Sequence, residues 1–205
     1  MTGLREKQKA HRRDMIEQAA IQLFEKKGFS LTTIEDIAEK ALVSPATVYN
    51  YYGNKGELLL ALVARGEEGT RSKVKEFEQR VTSEDPTDLL SDIISSNMQD
   101  TLKYMSRELW GHVVAYVATT SDPDVAERYL SEIADDLASA LQATLQKYCD
   151  LGVLKPVDTG HLAYLMTRLE RNHFLGFVYL KSMTVDEMLV GIKKDISLLV
   201  TTLRL

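Results

Sequence analysis

Apolar residues recur at intervals of three and four along almost the whole chain, and period-two runs of β-branched residues are scarce. A helix repeats about every 3.6 residues and a strand every two, so this spacing commits the chain to amphipathic helices and predicts an all-α fold. With 205 residues, 44% of them hydrophobic, there is enough apolar material for one large domain or two small ones.

Local start and stop signals divide the pattern. The first helix is expected from about Lys9 to Lys27, with Ile16, Ala20, Leu23 and Phe24 on one stripe and Gly28 placed to end it. Thr32 and Glu35 have the spacing of a capping box for a short second helix, whose buried side is Ile34, Ile37, Ala38 and Ala41. Ser44 as N-cap and Pro45 as first helical residue open a third, because proline lacks an N–H that would have no partner there. Gly53 and Asn54 interrupt, and Asn54 with Glu57 caps a long helix predicted from Lys55 to about Val81. Beyond a turn at Thr82 to Pro86, helices are expected over Thr87 to Tyr104, Ser106 to Thr119, Pro123 to Asp150, Thr159 to Lys181 and Val185 to Leu203.

Charge is distributed unevenly along this helical chain. The net charge is -5, yet residues 1–60 carry nine Lys/Arg against eight Asp/Glu, which leaves the remainder at 16 against 22. At the extreme N-terminus Arg5, Lys7, Lys9, Arg12 and Arg13 face only Glu6. A basic arm on a near-neutral head with an acidic body is the layout of a nucleic-acid reader; a solvated, frayed terminus has the same composition.

The run Gly28 to Leu58, GFSLTTIEDIAEKALVSPATVYNYYGNKGEL, holds two short helices joined by a tight turn, the form of a helix-turn-helix whose second helix enters the major groove. Val48 and Tyr52, four apart, share the face that holds this helix to the head. Pro45, Ala46, Thr47, Tyr49 and Asn50 then face outward, with Ser44 at the cap. Asn pairs bidentately with adenine, Thr donates to base or phosphate, and Ala packs on a thymine methyl. Arg and Gln are missing from this face, so base discrimination is expected to rest on Asn50, methyl contacts and DNA shape.

The same run resembles the signature of the TetR family of bacterial transcriptional repressors, through Gly28, Phe29, Thr32, Thr33, Ile37, Ala38, Ala41, Val43, Ser44, Thr47, Tyr49, Lys55 and Leu58 in order and spacing. It departs from that pattern at Leu42 and Ala46, each in place of glycine, at Tyr52 in place of phenylalanine, and at Gly56 in place of an acid. Leu42 requires either a left-handed backbone at some strain or a turn of slightly different shape. The resemblance implies phosphate contacts from Thr33, Tyr49 and Lys55. It also implies a three-helix DNA-binding head at residues 1–54 and an effector-binding and dimerisation body at residues 55–205. On that reading the protein is a homodimer that binds palindromic double-stranded operator DNA and is released by a small-molecule effector.

Two apolar stripes suit either a dimer interface or the core within the chain: Leu162, Met166, Leu169, His173, Phe177 and Leu180, then Leu189, Ile192, Ile196, Leu199 and Leu203. Met98, Tyr104, Met105, Trp110, His112, Tyr116 and Phe174 form an aromatic and methionine set of the kind that lines a ligand pocket. No catalytic motif, phosphate-binding glycine loop or clustered Cys/His spacing is present, so neither an enzyme nor a metal or cofactor site is expected. Cys149, with no second cysteine to pair with, is expected to be a packed or half-exposed side chain. No apolar run reaches the ~20 residues that span a bilayer, and the N-terminus lacks the apolar core of a secretion signal; the reading is cytoplasmic, with no membrane partner.

Overall fold

A computed structural model describes residues 2–66 and 74–205. The described residues form α1 (Thr2–Lys27), α2 (Ile34–Lys40), α3 (Pro45–Tyr52), α4 (Lys55–Gly66), α5 (Val74–Arg80), α6 (Pro86–Tyr104), α7 (Arg107–Thr119), α8 (Pro123–Asp150), α9 (Thr159–Tyr179) and α10 (Val185–Leu203). The fold is all-α, and the described residues hold only an isolated bridge between Leu154 and Arg204 in place of a strand. Two compact units result: residues 1–65 with 105–125, and residues 66–104 with 126–205. Of the span expected as one helix from Lys55 to Val81, the described residues form α4 and α5, and residues 67–73 lie outside the described residues.

In the first unit Ile16, Ala20 and Phe24 of α1, Ile34, Ile37 and Ala38 of α2, Val48 of α3, and Leu58, Leu59 and Leu62 of α4 are buried together. The starts of α3 and α4 are each held by a side chain that accepts an otherwise unpaired N–H: Ser44 from Thr47 and Asn54 from Glu57. The cap of α2 is shifted by one residue from the expected Thr32 and Glu35. Thr33 accepts from the Asp36 N–H, and Asp36 accepts from the Thr33 N–H at 2.8 Å. Thr32 is turned inward instead, and its hydroxyl donates to the Gly28 carbonyl at 2.8 Å, satisfying an orphan carbonyl at the end of α1. The first helix also begins earlier than expected, at Thr2 and not Lys9, so the basic arm is helical.

The second unit packs α10 against α6 and α9. Met188, Ile192, Ile196 and Val200 are the buried line of α10, and Leu162, Met166, Phe174 and Phe177 that of α9. His173 lies so close to Gly191 that a Cβ there would stand 2.7 Å from its ring, and its Nε2 sits 2.7 Å from Asp195 Oδ2. Arg80 bridges Glu84 and Asp92, while Arg204 is held by Asp85 at 2.5 Å. No described helix is long and apolar enough to cross a membrane.

Candidate nucleic-acid interface

Helix α3 is short, and its inward residues decide its orientation. Val48 is fully buried and Tyr52 nearly so, which leaves Pro45, Ala46, Tyr49 and Asn50 exposed and Thr47 half-exposed. The expected inward and outward faces are therefore both present. The Ser44 and Thr47 hydroxyls lie 2.8 Å apart, so one donates to the other and the second keeps its proton for an outside acceptor. Thr33 uses its oxygen as a cap acceptor for the Asp36 N–H, and its hydroxyl is shared with the Asp36 carboxylate. Beside it Asp36 is held as a carboxylate: the Lys27 ammonium at 2.7 Å and the Thr33 N–H lower its pKa to about 2.

The turn into α3 carries Leu42 at φ 56, in the left-handed region. Its N–H donates to Glu39 and that of Val43 to Ala38, at 3.1 and 3.0 Å, which is the paired closure of a Schellman motif. Of the two possibilities left by the sequence, the strained left-handed backbone is the one adopted. The side chain gains nothing by burial, since it is 87% exposed.

Tyr52 closes α3 with a hydroxyl that donates to Glu17 of α1 at 2.8 Å. Glu17 is 5% exposed and also accepts from Arg65 of α4 at 2.7 Å, while Arg65 reaches Asp14 as well. Burial and the neighbouring carboxylate push the Tyr52 phenol far above its ordinary pKa, so it stays a donor. The departure at Tyr52 thus has a counterpart in Glu17, whose buried charge needs donors.

Lys55 is placed differently from a free phosphate ligand. Its ammonium donates to the carbonyls of Phe29, Ser30 and Thr32 at 2.7, 3.4 and 2.8 Å, and lies 4.4 Å from the centre of the Phe29 ring. Three acceptors match the three N–H bonds of an ammonium. Lys55 clamps the loop between α1 and α2, and its partial burial lowers its pKa.

Gly56 has a counterpart too. A Cβ at this position would fall 2.3 Å from the Tyr116 ring, and the Tyr116 hydroxyl donates to Glu57 at 3.0 Å. One turn earlier on α7, His112 rests on Phe29 with ring centres 4.8 Å apart. Of the expected effector contacts, Met105, Trp110, His112 and Tyr116 belong to the first unit, and Met98, Tyr104 and Phe174 to the second. Met105 and Trp110 are buried, as are Met98 and Phe174.

This compact head, with a capped reading helix and an inward Val48–Tyr52 anchor, coincides with residues 16–62, which match the model of the bacterial regulatory proteins of the tetR family. The chain carries the DNA-binding head of the TetR family. It is a DNA-binding transcriptional regulator and not an enzyme. Among relatives, YfiR of Bacillus subtilis, an uncharacterised helix-turn-helix-type transcriptional regulator, is 28% identical over 153 residues, 73% of this chain and 71% of its own. Among solved structures, FadR of Thermus thermophilus, a TetR-family repressor in complex with lauroyl-CoA, is similar with a TM-score of 0.71 and 22% identity over 90% of this chain and 92% of that one. A TetR-family transcriptional regulator from Pectobacterium atrosepticum has a TM-score of 0.69 at 16% identity, covering 94% of each chain.

Three features of this TetR-family head escape sequence reasoning: the Lys55 clamp, the Tyr52–Glu17–Arg65 network and the seat of Tyr116 on Gly56. The only signal for the last two is the departure from the family pattern at Tyr52 and Gly56, which marks the position and not the partner.

Proposed function

We propose that the protein is a homodimeric repressor that binds a palindromic operator through α3 of each head and is released by a small, partly apolar effector in the cytoplasm. The observation that carries this reading is the exposed surface Pro45, Ala46, Thr47, Tyr49 and Asn50, backed by the anchored Val48 and Tyr52. Asn50 supplies the base-reading amide, Ala46 and Thr47 the methyl contacts, and Ser44, Thr33 and Tyr49 the hydroxyls for phosphate. Lys55 supports them by fixing the loop that precedes Thr33. Residues 1–54 read DNA, and residues 55–205 bind effector and dimerise.

Dimerisation through α9 and α10 is supported by the apolar side chains these helices leave outside the core: Tyr164, Leu165, Val190 and Leu198 are each 40% exposed or more. Effector control is supported by Met105, Trp110, His112 and Tyr116 within the first unit, and by FadR of Thermus thermophilus, which was solved with lauroyl-CoA. Within the first unit, Trp110 shares α7 with His112 and Tyr116, so a ligand that shifts α7 displaces the start of α4 next to α3. The coupling must be reciprocal, typically about 1 to 3 kcal/mol, so operator DNA weakens effector binding by the factor with which effector weakens DNA binding.

Selection from random duplexes tests the reading. The expected product is a twofold-related sequence with half-site centres about 34 to 36 Å apart or a wider multiple. Recovery of no palindrome at physiological salt refutes it.

A further inference from the structure

The N-terminal arm is a rigid extension of the head. Helix α1 runs unbroken from Thr2 to Lys27, and residues 3–13 are exposed throughout. Arg5, Lys9 and Arg12 stand at i, i+4 and i+7, and the same line continues through Ile16 and Ala20, both fully buried. One stripe of α1 is therefore cationic where the helix projects and apolar where the head lies beneath it. Lys7 and His11 fall on the opposite side.

The direction of that stripe follows from its neighbours. On one flank Met15, Gln18 and Gln22 border Lys40 and Leu42 at the end of α2. On the other flank Glu17 meets Tyr52 of α3. The Ile16–Ala20 line between them faces the core of the head, and Arg5, Lys9 and Arg12 continue that line where the helix projects past it. At about 1.5 Å per residue, Arg5 stands roughly 16 Å beyond Ile16. That reach exceeds the major-groove width of about 12 Å, enough to meet phosphates next to the segment read by α3. Among the described residues, Arg5, Lys9 and Arg12 have no carboxylate within ion-pair distance, and Arg13 has only Glu17 at 3.9 Å.

We propose that Arg5, Lys9 and Arg12 form a helical rail that binds the phosphate backbone of duplex DNA flanking the operator half-site. The proposal rests on the DNA-reading role of the head and adds a contact outside it. Orientation is built in, because no flexible joint separates the rail from the part of α1 that packs on α2 and holds Tyr52 of α3 through Glu17.

The test compares salt dependence of binding to a random-sequence duplex for the full-length protein and four variants. Each phosphate contact contributes about 0.9 to the slope of log affinity against log salt. The triple variant Arg5→Gln/Lys9→Gln/Arg12→Gln should therefore lose roughly 2 to 3 units, and Lys9→Gln about one. Lys7→Gln, with the same loss of charge on the other face, should lose none. An alanine inserted between Arg13 and Asp14 keeps every charge but turns the stripe by about 100°, and should match the triple variant. Equal effects of Lys7→Gln and Lys9→Gln, or an unchanged slope in the triple variant, overturn the rail while leaving the head as DNA reader. Capture by phosphatidylserine vesicles that depends on the stripe, with no change in the DNA slope, also overturns it. Failure of the wild-type chain to bind any duplex refutes the DNA-reading role itself.

Discussion

Replacing Leu42 by glycine should stabilise the head, although it deletes a large apolar side chain. Leu42 holds φ at 56 in the turn between α2 and α3, and its side chain is 87% exposed, so truncation removes almost no buried area. A left-handed backbone costs a residue with a Cβ roughly 1 to 2 kcal/mol, which glycine avoids. Glycine also loosens the unfolded chain, at a cost of about 0.4 to 1 kcal/mol. The difference is a net gain of about 0.5 to 1 kcal/mol. For a chain of this size that corresponds to a rise in Tm of roughly 1 to 4 °C. Leu42→Ala is the control, because it trims the same side chain and keeps the backbone penalty; its Tm should stay near that of the wild type. Thermal melting of the three proteins at one concentration decides the matter. A Tm for Leu42→Gly at or below that of Leu42→Ala would show that the turn is not strained, and would falsify the reasoning.

Tyr52→Phe restores the residue usual in the family, yet should destabilise by about 1 to 3 kcal/mol in urea denaturation, because it takes a donor from the buried Glu17 carboxylate; no loss would mean that Arg65 satisfies Glu17 alone. Gly56→Ala should cost about 1 to 3 kcal/mol through its overlap with Tyr116, and Tyr116→Ala should relieve most of it, so simple additivity in the double variant would contradict the packing. Lys55→Met should lower Tm and weaken DNA binding with an unchanged salt slope; a drop of about one unit would instead assign the ammonium to phosphate. Asp36 has its folded pKa depressed to about 2 by Lys27 and Thr33, so its stabilisation is complete above its ordinary carboxylate pKa and fades as pH falls through about 2. Asp36→Asn should flatten that acid limb of the Tm profile, and an identical profile in the variant would remove Asp36 from the account.

Signals carried within a few residues are legible in the sequence itself. The apolar period, Gly28 at the end of α1, Ser44–Pro45 at the start of α3 and Asn54 at the start of α4 each depend on hydrogen bonds or backbone preferences spanning three or four positions, so the order of helices and the two faces of α3 follow from local chemistry. Where two local solutions are equivalent, tertiary structure chooses. Thr32 and Thr33 are the same cap chemistry, and the free carbonyl of Gly28 draws Thr32 inward and leaves Thr33 to begin α2. The arm's charge is likewise evident from composition, but its helical form and the phase of its stripe emerge only when α1 is one element anchored by Ile16 and Ala20. Only the fold can pair Lys55 with the carbonyls 23 to 26 positions earlier, Tyr52 with Glu17 35 positions away, or the Tyr116 hydroxyl with Glu57 at a separation of 59. Such contacts carry no sequence period: they exist because burial brings distant segments together and then obliges every enclosed charge and hydroxyl to find a partner.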